Sequence, residues 1–418
     1  MSQLMSIVQS ILDLGPTVML PIIIIVFGLI LGMKFGKSLR AGVMIGIGFA
    51  GLNLVIDFLV DTLEPVIESF TVSEGGYTIA DMGWATLASA SWSQPFAPLV
   101  VPLIFLLNLL LLKFRATRTL NVDLWNYYHF VLAGAIMYVL TGSVVLSLLH
   151  SLLISVIALK LGDVLAPRWQ KFFGLEGTTC TTIDATITYQ PVAWIVNFIV
   201  DKIPGVRKID VNPQNLQNKI GVFGEPAIIG LIAGMLISII AGQPFDMILS
   251  VGMSVAAVMI LFPRMIKLLM EGLLPISNAA RDFASKRFKG WDINVGMDVA
   301  LALGHPTVIT SGVITVPIAL LIALTLPGNE YFPLPLLAEL AFYSTLPAMI
   351  SNGNIFRTVL STSAYVVYTI TAFNIMAPIS TKLIRGAGIN TPGEAVGTTL
   401  ESLDNFILTL LAKLFGFS

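Results

Sequence analysis

The stretch MDVALALGHPTVITSG, residues 297–312, decides how this chain is read. Asp298 and His305 are set among apolar, small and hydroxyl residues, and the chain then stays apolar to about residue 327. A charge at the centre of a bilayer costs at least ~2.5–3.5 kcal/mol on insertion scales, and it is tolerated where it faces a water-filled cavity. A helix through this stretch would put the two residues on one face about 10 Å apart. Gly304 and Pro306 would end that helix near His305. A carboxylate accepts from hydroxyl groups and a neutral imidazole donates or accepts, so the pair suits a polyhydroxyl solute. The other reading is that Asp298 lies at the membrane edge and caps the helix VALALG, with His305 a packed structural histidine.

The whole composition points the same way. The 418 residues are 56% hydrophobic and 11% charged, against about 25% charged in soluble domains. The mean hydropathy is +0.88. Such a chain belongs in a bilayer. Its net charge of −1 argues against nucleic acid as a partner. A single cysteine, Cys180, excludes an intrachain disulfide and a cysteine-based metal cluster. Cys180 has no adjacent histidine or basic residue to make a thiolate. Neither GxxxxGK[ST] nor HExxH occurs, and no cofactor is expected. No stretch is polar enough for a separate soluble domain, so a soluble catalytic partner is expected to be another polypeptide. The opening MSQLMSIVQSILDLGP lacks a basic n-region, so the first apolar run reads as a permanent span.

About 20 apolar residues cross the hydrocarbon core. Ten stretches qualify: 16–33, 41–60, 95–112, 127–142, 144–161, 226–243, 246–263, 307–327, 334–351 and 356–378. Basic loops stay cytoplasmic. Lys34, Lys37 and Arg40 follow the first span, Lys113, Arg115 and Arg118 the third, and Lys160, Arg168 and Lys171 the fifth. The stretch 61–94 has no basic residue and carries Asp61, Glu64, Glu68, Glu74 and Asp81. All of these place the N-terminus outside. Arg264, Lys267, Arg281, Lys286, Arg287 and Lys289 put the end of the seventh span inside. Lys382 and Arg385 disagree, because ten spans leave them outside: either the last span is misread or the tail (379–418) returns.

A shift of 210 residues aligns Pro16 with Pro226, Gly32 with Gly242, Gly42 with Gly252 and Pro65 with Pro275. VVPLI (100–104) then resembles TVPIA (315–319). Loop charges invert between the halves: KFGKSLR (34–40) answers to QPFDMIL (243–249), which has no basic residue. Opposite charge in the same pattern predicts two halves facing opposite ways, as in alternating-access transporters. The alternative is a generic polytopic protein with accidental Gly and Pro matches. The expected fold class is therefore an all-α polytopic membrane protein of about ten transmembrane helices, with a possible eleventh element at the C-terminus. Its first repeat would span 1–210 and its second, inverted, 211–378. The tail 379–418 would hold an interfacial helix at FILTLLAKLF.

Residues 172–200, FFGLEGTTCTTIDATITYQPVAWIVNFIV, are hydroxyl-rich and interrupted by Gly174, Gly177 and Pro191. They read as a re-entrant hairpin, whose irregular backbone must be buried in protein or line a cavity. GWATLASASW (83–92) and the opening stretch read as short half-helices. Asp184, Thr182 and Thr186 in the hairpin are candidate substrate contacts, as is His129 one turn into the fourth span. Glu225 in FGEP either joins the site or favours the positive end of the helix dipole. In SNGNIFRT, Asn352 and Asn354 either bind hydroxyls or cap the last span.

With NVDLWNYYH, KLGD, FGEP, MDVALALGH, GNIFRT, ILDLGPTVMLPIIII and KIPGV in place, the chain resembles the galactitol-type membrane subunit, enzyme IIC, of the bacterial phosphoenolpyruvate-dependent phosphotransferase system. That family shares a fold superfamily with the ascorbate-type subunits. The similarity runs from about residue 8 to 378. The resemblance implies a homodimer in the bacterial inner membrane, with a gate-like domain, a core domain and elevator-type transport. It implies a cytoplasmic IIB partner with a phosphocysteine, fed from IIA, HPr and enzyme I, and phosphorylation of the sugar as it arrives. It puts Asp298, His129 and the turn around Asp184 in the substrate region. Two features depart from the family. Galactitol members carry a His-Gly pair in the hairpin turn, where this chain reads CTTIDAT, and the final span is reduced to a weak segment at 404–418. The competing functions are an ion-coupled secondary transporter, with Asp298 as the proton or cation site, and a membrane enzyme using Asp298 and His305. Against the enzyme, no nucleophile–base–orienter set is visible.

Overall fold

The computed structural model describes residues 16–73, 78–121, 123–213, 225–287, 292–331, 333–391, 395–397 and 402–414. The stretch before Pro16, Glu74, Gly224, Lys289 and the last four residues of the tail lie outside these. The described chain is all-α apart from a few strands of three or four residues.

The first half runs α1 (Pro16–Ile30), α2 (Phe35–Ser73), β1 (Ile79–Asp81), α3 (Gly83–Trp92), α4 (Ala97–Lys113), β2 (Thr119–Asn121), α5 (Leu124–Thr141), α6 (Val144–Phe173), β3 (Thr178–Cys180), a π-turn (Ala185–Tyr189) and α7 (Gln190–Lys202). The second half runs α8 (Pro226–Ile240), α9 (Phe245–Arg287), β4 (Asn294–Met297), a 3-10 helix (Val299–Gly304), α10 (Pro306–Thr325), α11 (Leu334–Tyr343), α12 (Thr345–Ile350), α13 (Ile355–Gly386), β5 (Ala395–Gly397) and α14 (Leu403–Leu414).

Each of the ten apolar stretches coincides with a helix or, at 334–351, with a pair broken at Ser344. By length and composition α6, α10 and α13 suffice to cross a membrane. Residues 86–92 and α4 qualify as one broken span, bent by 87°. At Thr141-Gly142-Ser143 the chain breaks between α5 and α6. Gly142 closes α5 in the left-handed region (φ 65°), and the Ser143 hydroxyl accepts from Leu146 N–H to open α6. That left-handed backbone is why glycine stands there.

Local geometry repeats at the 210-residue shift. α1 and α8 begin 210 residues apart, as do α2 and α9. Gly32 and Gly242 both turn at positive φ. The turns close alike, Met33 N–H on Gly28 O at 2.9 Å and Gln243 N–H on Ser238 O at 3.0 Å. Gly42 is pressed against Pro21 O and Gly252 against Leu231 O, again 210 residues apart. A side chain at either glycine would collide with the facing backbone, so glycine lets the two helices of each hairpin touch. α2 and α9 pack together antiparallel: Gly272 sits on Ala41 O and the Ile45 backbone, and Gly51 on Met265.

The strands exchange between halves. β4, from the second half, lies between β2 and β3, parallel to both. β1, from the first half, lies parallel to β5 and makes a parallel bridge to Tyr331. Three-residue strands are too short to stand alone, so side chains complete them. Asn108 of α4 donates to Thr119 O at 2.9 Å and accepts from Asn121 N–H at 2.9 Å, covering the edge of β2. Asp163 of the KLGD motif accepts from Arg118 N–H and from the Thr117 and Thr119 hydroxyls. Gly162 beside it accepts from the Thr179 hydroxyl at 2.6 Å and lets α6 lie against β3.

One boundary differs from the sequence reading. α13 continues through Pro378 to Gly386, so the break at 378/379 falls inside a helix. The tail then returns to the fold: β5 pairs with β1, and α14 packs on α5, α13 and the π-turn.

Candidate functional site

β2, β3 and β4 end together, and the residues just past their ends face one another. Asp298 follows β4. Its backbone N–H donates to Oδ2 of Asp123 at 2.8 Å. Its Oδ1 accepts from Ala300 N–H at 2.8 Å, and its Oδ2 accepts from the Thr182 hydroxyl at 2.7 Å. Thr182 Oγ1 also accepts from Val299 N–H at 2.9 Å and lies 3.2 Å from Asn126 Oδ1. Asn126 Nδ2 donates to Thr181 Oγ1 at 2.8 Å and to Asn121 Oδ1 at 3.2 Å. Asp123 caps α5 by accepting from Trp125 N–H at 3.0 Å. Asp123, Asn126, Thr181, Thr182 and Asp298 are all buried. Two neighbouring carboxylates repel, and here each is held by a backbone N–H, the arrangement that a buried acidic group requires.

A second pair lies one turn along. Nδ1 of His129 stands 2.8 Å from Oδ2 of Asp184, both buried. The two atoms face each other at hydrogen-bonding distance, so the imidazole and the carboxylate form a buried pair. Trp84 of α3 lies over His129, ring centroids 5.5 Å apart, and its Nε1 is buried without a hydrogen bond. Asp184 precedes the π-turn, in which Gln190 N–H reaches back to Ala185 O. Pro191 has no N–H to give to the carbonyl four residues back, and the wider turn accommodates it. Thr186 is buried in this turn and donates to the carbonyls of Ile183 and Thr182.

Asp298 and His305 do not share a helical face. The residues between them form a 3-10 helix about 12 Å long, and each is an extended cap at one end of it. Asp298 caps its start, while His305 Nδ1 accepts from Thr307 N–H at 3.3 Å to open α10. The His305 ring stacks on Phe172, centroids 4.6 Å apart, and stands edge-on to Phe173. The Gly304–His305–Pro306 sequence favours extended backbone before proline, which stops the α-helix that the spacing suggested.

The remaining candidates stand elsewhere. Asn352 is exposed, in the left-handed region, and its Oδ1 lies 3.4 Å from Arg168 Nη2. Asn354 takes the capping role, accepting from Arg357 N–H and donating to Ile209 O. Arg357 in turn pairs with Asp201 at 2.7 Å and donates to Asn197 and to Arg207 O, so GNIFRT clasps the turn that KIPGV makes. These residues line a cleft of about 660 Å³ with Arg168 and Trp194. Glu225 is exposed at the start of α8 and makes no capping bond. The structure thus joins Asp298, Thr182, Asp184, His129 and Thr186, and separates His305, Asn352 and Glu225 from them. It adds Asp123, Asn126 and Trp84. Asp123 and Asn126 belong to NVDLWNYYH, the same polar stretch as His129.

Among the described residues no group of three or more His, Cys, Asp or Glu could hold a metal ion. Buried carboxylates, amides and hydroxyls beside an indole are the groups that grip a polyhydroxyl solute: oxygens for its hydroxyls and an apolar face for its carbons.

The chain as a whole is similar to known proteins. The family described as EIIC-GAT, PTS system sugar-specific permease component, matches residues 10–394. The PTS system galactitol-specific EIIC component of Escherichia coli strain K12 is 36% identical over 412 residues, 98% of this chain and 91% of that protein. A putative permease IIC component of the same strain is 36% identical over 407 residues, covering 97% of this chain and 93% of that protein.

Proposed function

The chain belongs to the EIIC-GAT family of phosphotransferase-system sugar-specific permease components, and on that premise we propose that it carries a polyol of the galactitol class across the inner membrane. The observation that carries this reading is the buried network of Asp298, Thr182, Asn126 and Asp123, with the His129–Asp184 pair beside it. The solute is phosphorylated as it arrives by a separate IIB subunit bearing a phosphocysteine, itself supplied by IIA, HPr and enzyme I.

Movement is of the elevator type, in a homodimer with ten spans and an external N-terminus. The division of labour supports this. α1, α2, α8 and α9 pack chiefly on one another, and none of the joined site residues lies on them. They are the gate-like part, and the elements around β2, β3 and β4 are the moving core. The two halves are inverted repeats. Antiparallel packing of α2 on α9, equivalent hairpins 210 residues apart and the exchange of β1 and β4 all support that reading. Cys180 is fully buried, so background labelling is low. Cysteines introduced at Lys37 and at Gln243 are expected to react with a membrane-impermeant maleimide from opposite sides. Reaction of both from one side would end the inverted-repeat reading.

The deciding experiment is uptake of a panel of radiolabelled polyols and sugars by cells carrying this chain, with and without its soluble partners, followed by chromatography of the internal label. The expected result is a phosphorylated polyol that forms only with the partners. Free solute inside without them, abolished by a protonophore, would make the chain an ion-coupled transporter with Asp298 as its coupling site.

A further inference from the structure

α14 wears its amphipathic pattern inside out. A surface helix in water buries its leucines. α14 buries Asn405, Thr409 and Ala412 and exposes Ile407, Leu410, Leu411 and Leu414. Such an outer face suits lipid tails, which are as apolar as leucine. Its inner, polar face packs on α5, the π-turn and α13. The Leu403 N–H donates to Thr188 Oγ1 at 3.1 Å and fixes the start of the helix on the π-turn.

The inner face is underbonded. Asn405 is 2% exposed and Thr409 0%. Asn405 Oδ1, Thr409 Oγ1 and Asp404 Oδ2 are buried without a hydrogen-bond partner. Thr358, Thr362, Thr371 and Thr381 each donate to the carbonyl four residues back. Thr409, like Thr310 and Thr369, does not. The buried His129–Asp184 pair stands nearby, and Asp404 lies within electrostatic range of both of its members. α14 therefore brings unsatisfied polar atoms to a junction with α5 and the π-turn, beside the His129–Asp184 pair. Packing alone gives no reason for this, because apolar groups of the same shape would be as stable or more so.

We propose that α14 is a wall of the solute site, where Asn405 and Thr409 hydrogen-bond hydroxyls at the end of the polyol away from Asp298, with Asp404 facing His129 and Asp184. The proposal rests on the polyol-permease reading above. Asn405 and Thr409 are four residues apart on one face, so they meet separate hydroxyls along an extended chain. The C-terminal segment thus helps to set which polyol is accepted.

The test uses the purified full-length protein, its thermal unfolding and its binding of radiolabelled galactitol and related polyols. Asn405→Leu and Thr409→Val are expected to raise the melting temperature of the unliganded protein and to weaken polyol binding about tenfold each. A structural role would instead lower the melting temperature, which would overturn the proposal. Unchanged affinity in both variants, with Asp298→Asn defective, would also overturn it while leaving the polyol reading intact. Failure of the unsubstituted protein to bind any polyol of the panel would overturn the polyol reading itself, and the proposed role of α14 with it.

Discussion

Asp298→Asn is expected to weaken polyol binding by about 10- to 100-fold and to stop uptake, with the protein still folded and inserted. The magnitude is that of a hydrogen bond to a charged group, about 1.5–3 kcal/mol. Folding survives because the network can re-form around an amide. The new carbonyl keeps the bond from Ala300 N–H now made at 2.8 Å. The new amide group donates to Thr182 Oγ1. Thr182 turns its own proton to Asn126 Oδ1, which already lies 3.2 Å away, and still accepts from Val299 N–H. Only the negative charge is lost. Equilibrium binding with purified protein, alongside size-exclusion chromatography, measures both halves of the expectation. Affinity within twofold of the unsubstituted protein would remove Asp298 from the solute site and leave it a cap of the 3-10 helix.

Thr182→Val is expected to have a large effect on stability. Valine matches threonine in shape but has no hydroxyl. The substitution strands Asp298 Oδ2, which accepts from Thr182 at 2.7 Å, and Val299 N–H, which donates to it at 2.9 Å. It also removes the contact to Asn126. Each stranded buried group costs about 1–3 kcal/mol, and a carboxylate oxygen stands at the upper end. A loss of about 3–6 kcal/mol is a large share of the 5–15 kcal/mol that holds a typical domain. The expected outcome is little folded protein in the membrane and a sharply lower melting temperature in detergent. Thr182→Ser, which restores the hydroxyl, recovers both. An unshifted melting temperature for the valine variant would show that the hydroxyl is not the hub of this junction.

The two substitutions separate charge from scaffold. One removes what a solute would feel, and the other removes what holds that charge in place. Val299 N–H and Asp298 Oδ2 both converge on a single oxygen from a segment 116 residues away, so the position of the charge depends on that oxygen.

What could be read in the residues differs in kind from what could not. Hydropathy and Gly/Pro punctuation located the helices, because each depends on neighbours within a few turns. Gly32 and Gly242 marked equivalent turns, and Gly142 marked the break between α5 and α6. Asp298, Thr182, Asp184, His129 and Thr186 were legible as polar residues in an apolar setting, which must have a reason in a bilayer. His305 met the same criterion and proved to be a helix cap stacked on Phe172. Its chemistry was visible, but its partner was not. α14 looked like a weak interfacial segment because its apolar residues were visible and the inward face of Asn405 and Thr409 was not.

By itself the sequence determined that this is a membrane protein of repeated helical hairpins with buried acids, since those properties follow from composition and short-range pattern. The tertiary structure alone decided which polar residues meet. Asp298 reaches Asp123 across 175 positions of chain and Thr182 across 116. It does so through strands of three and four residues, too short to show any alternation in the sequence. Such strands are fixed by what packs around them, Asn108 and Asp163 among others, so the site exists only when α4, α5, α6 and β4 are assembled together.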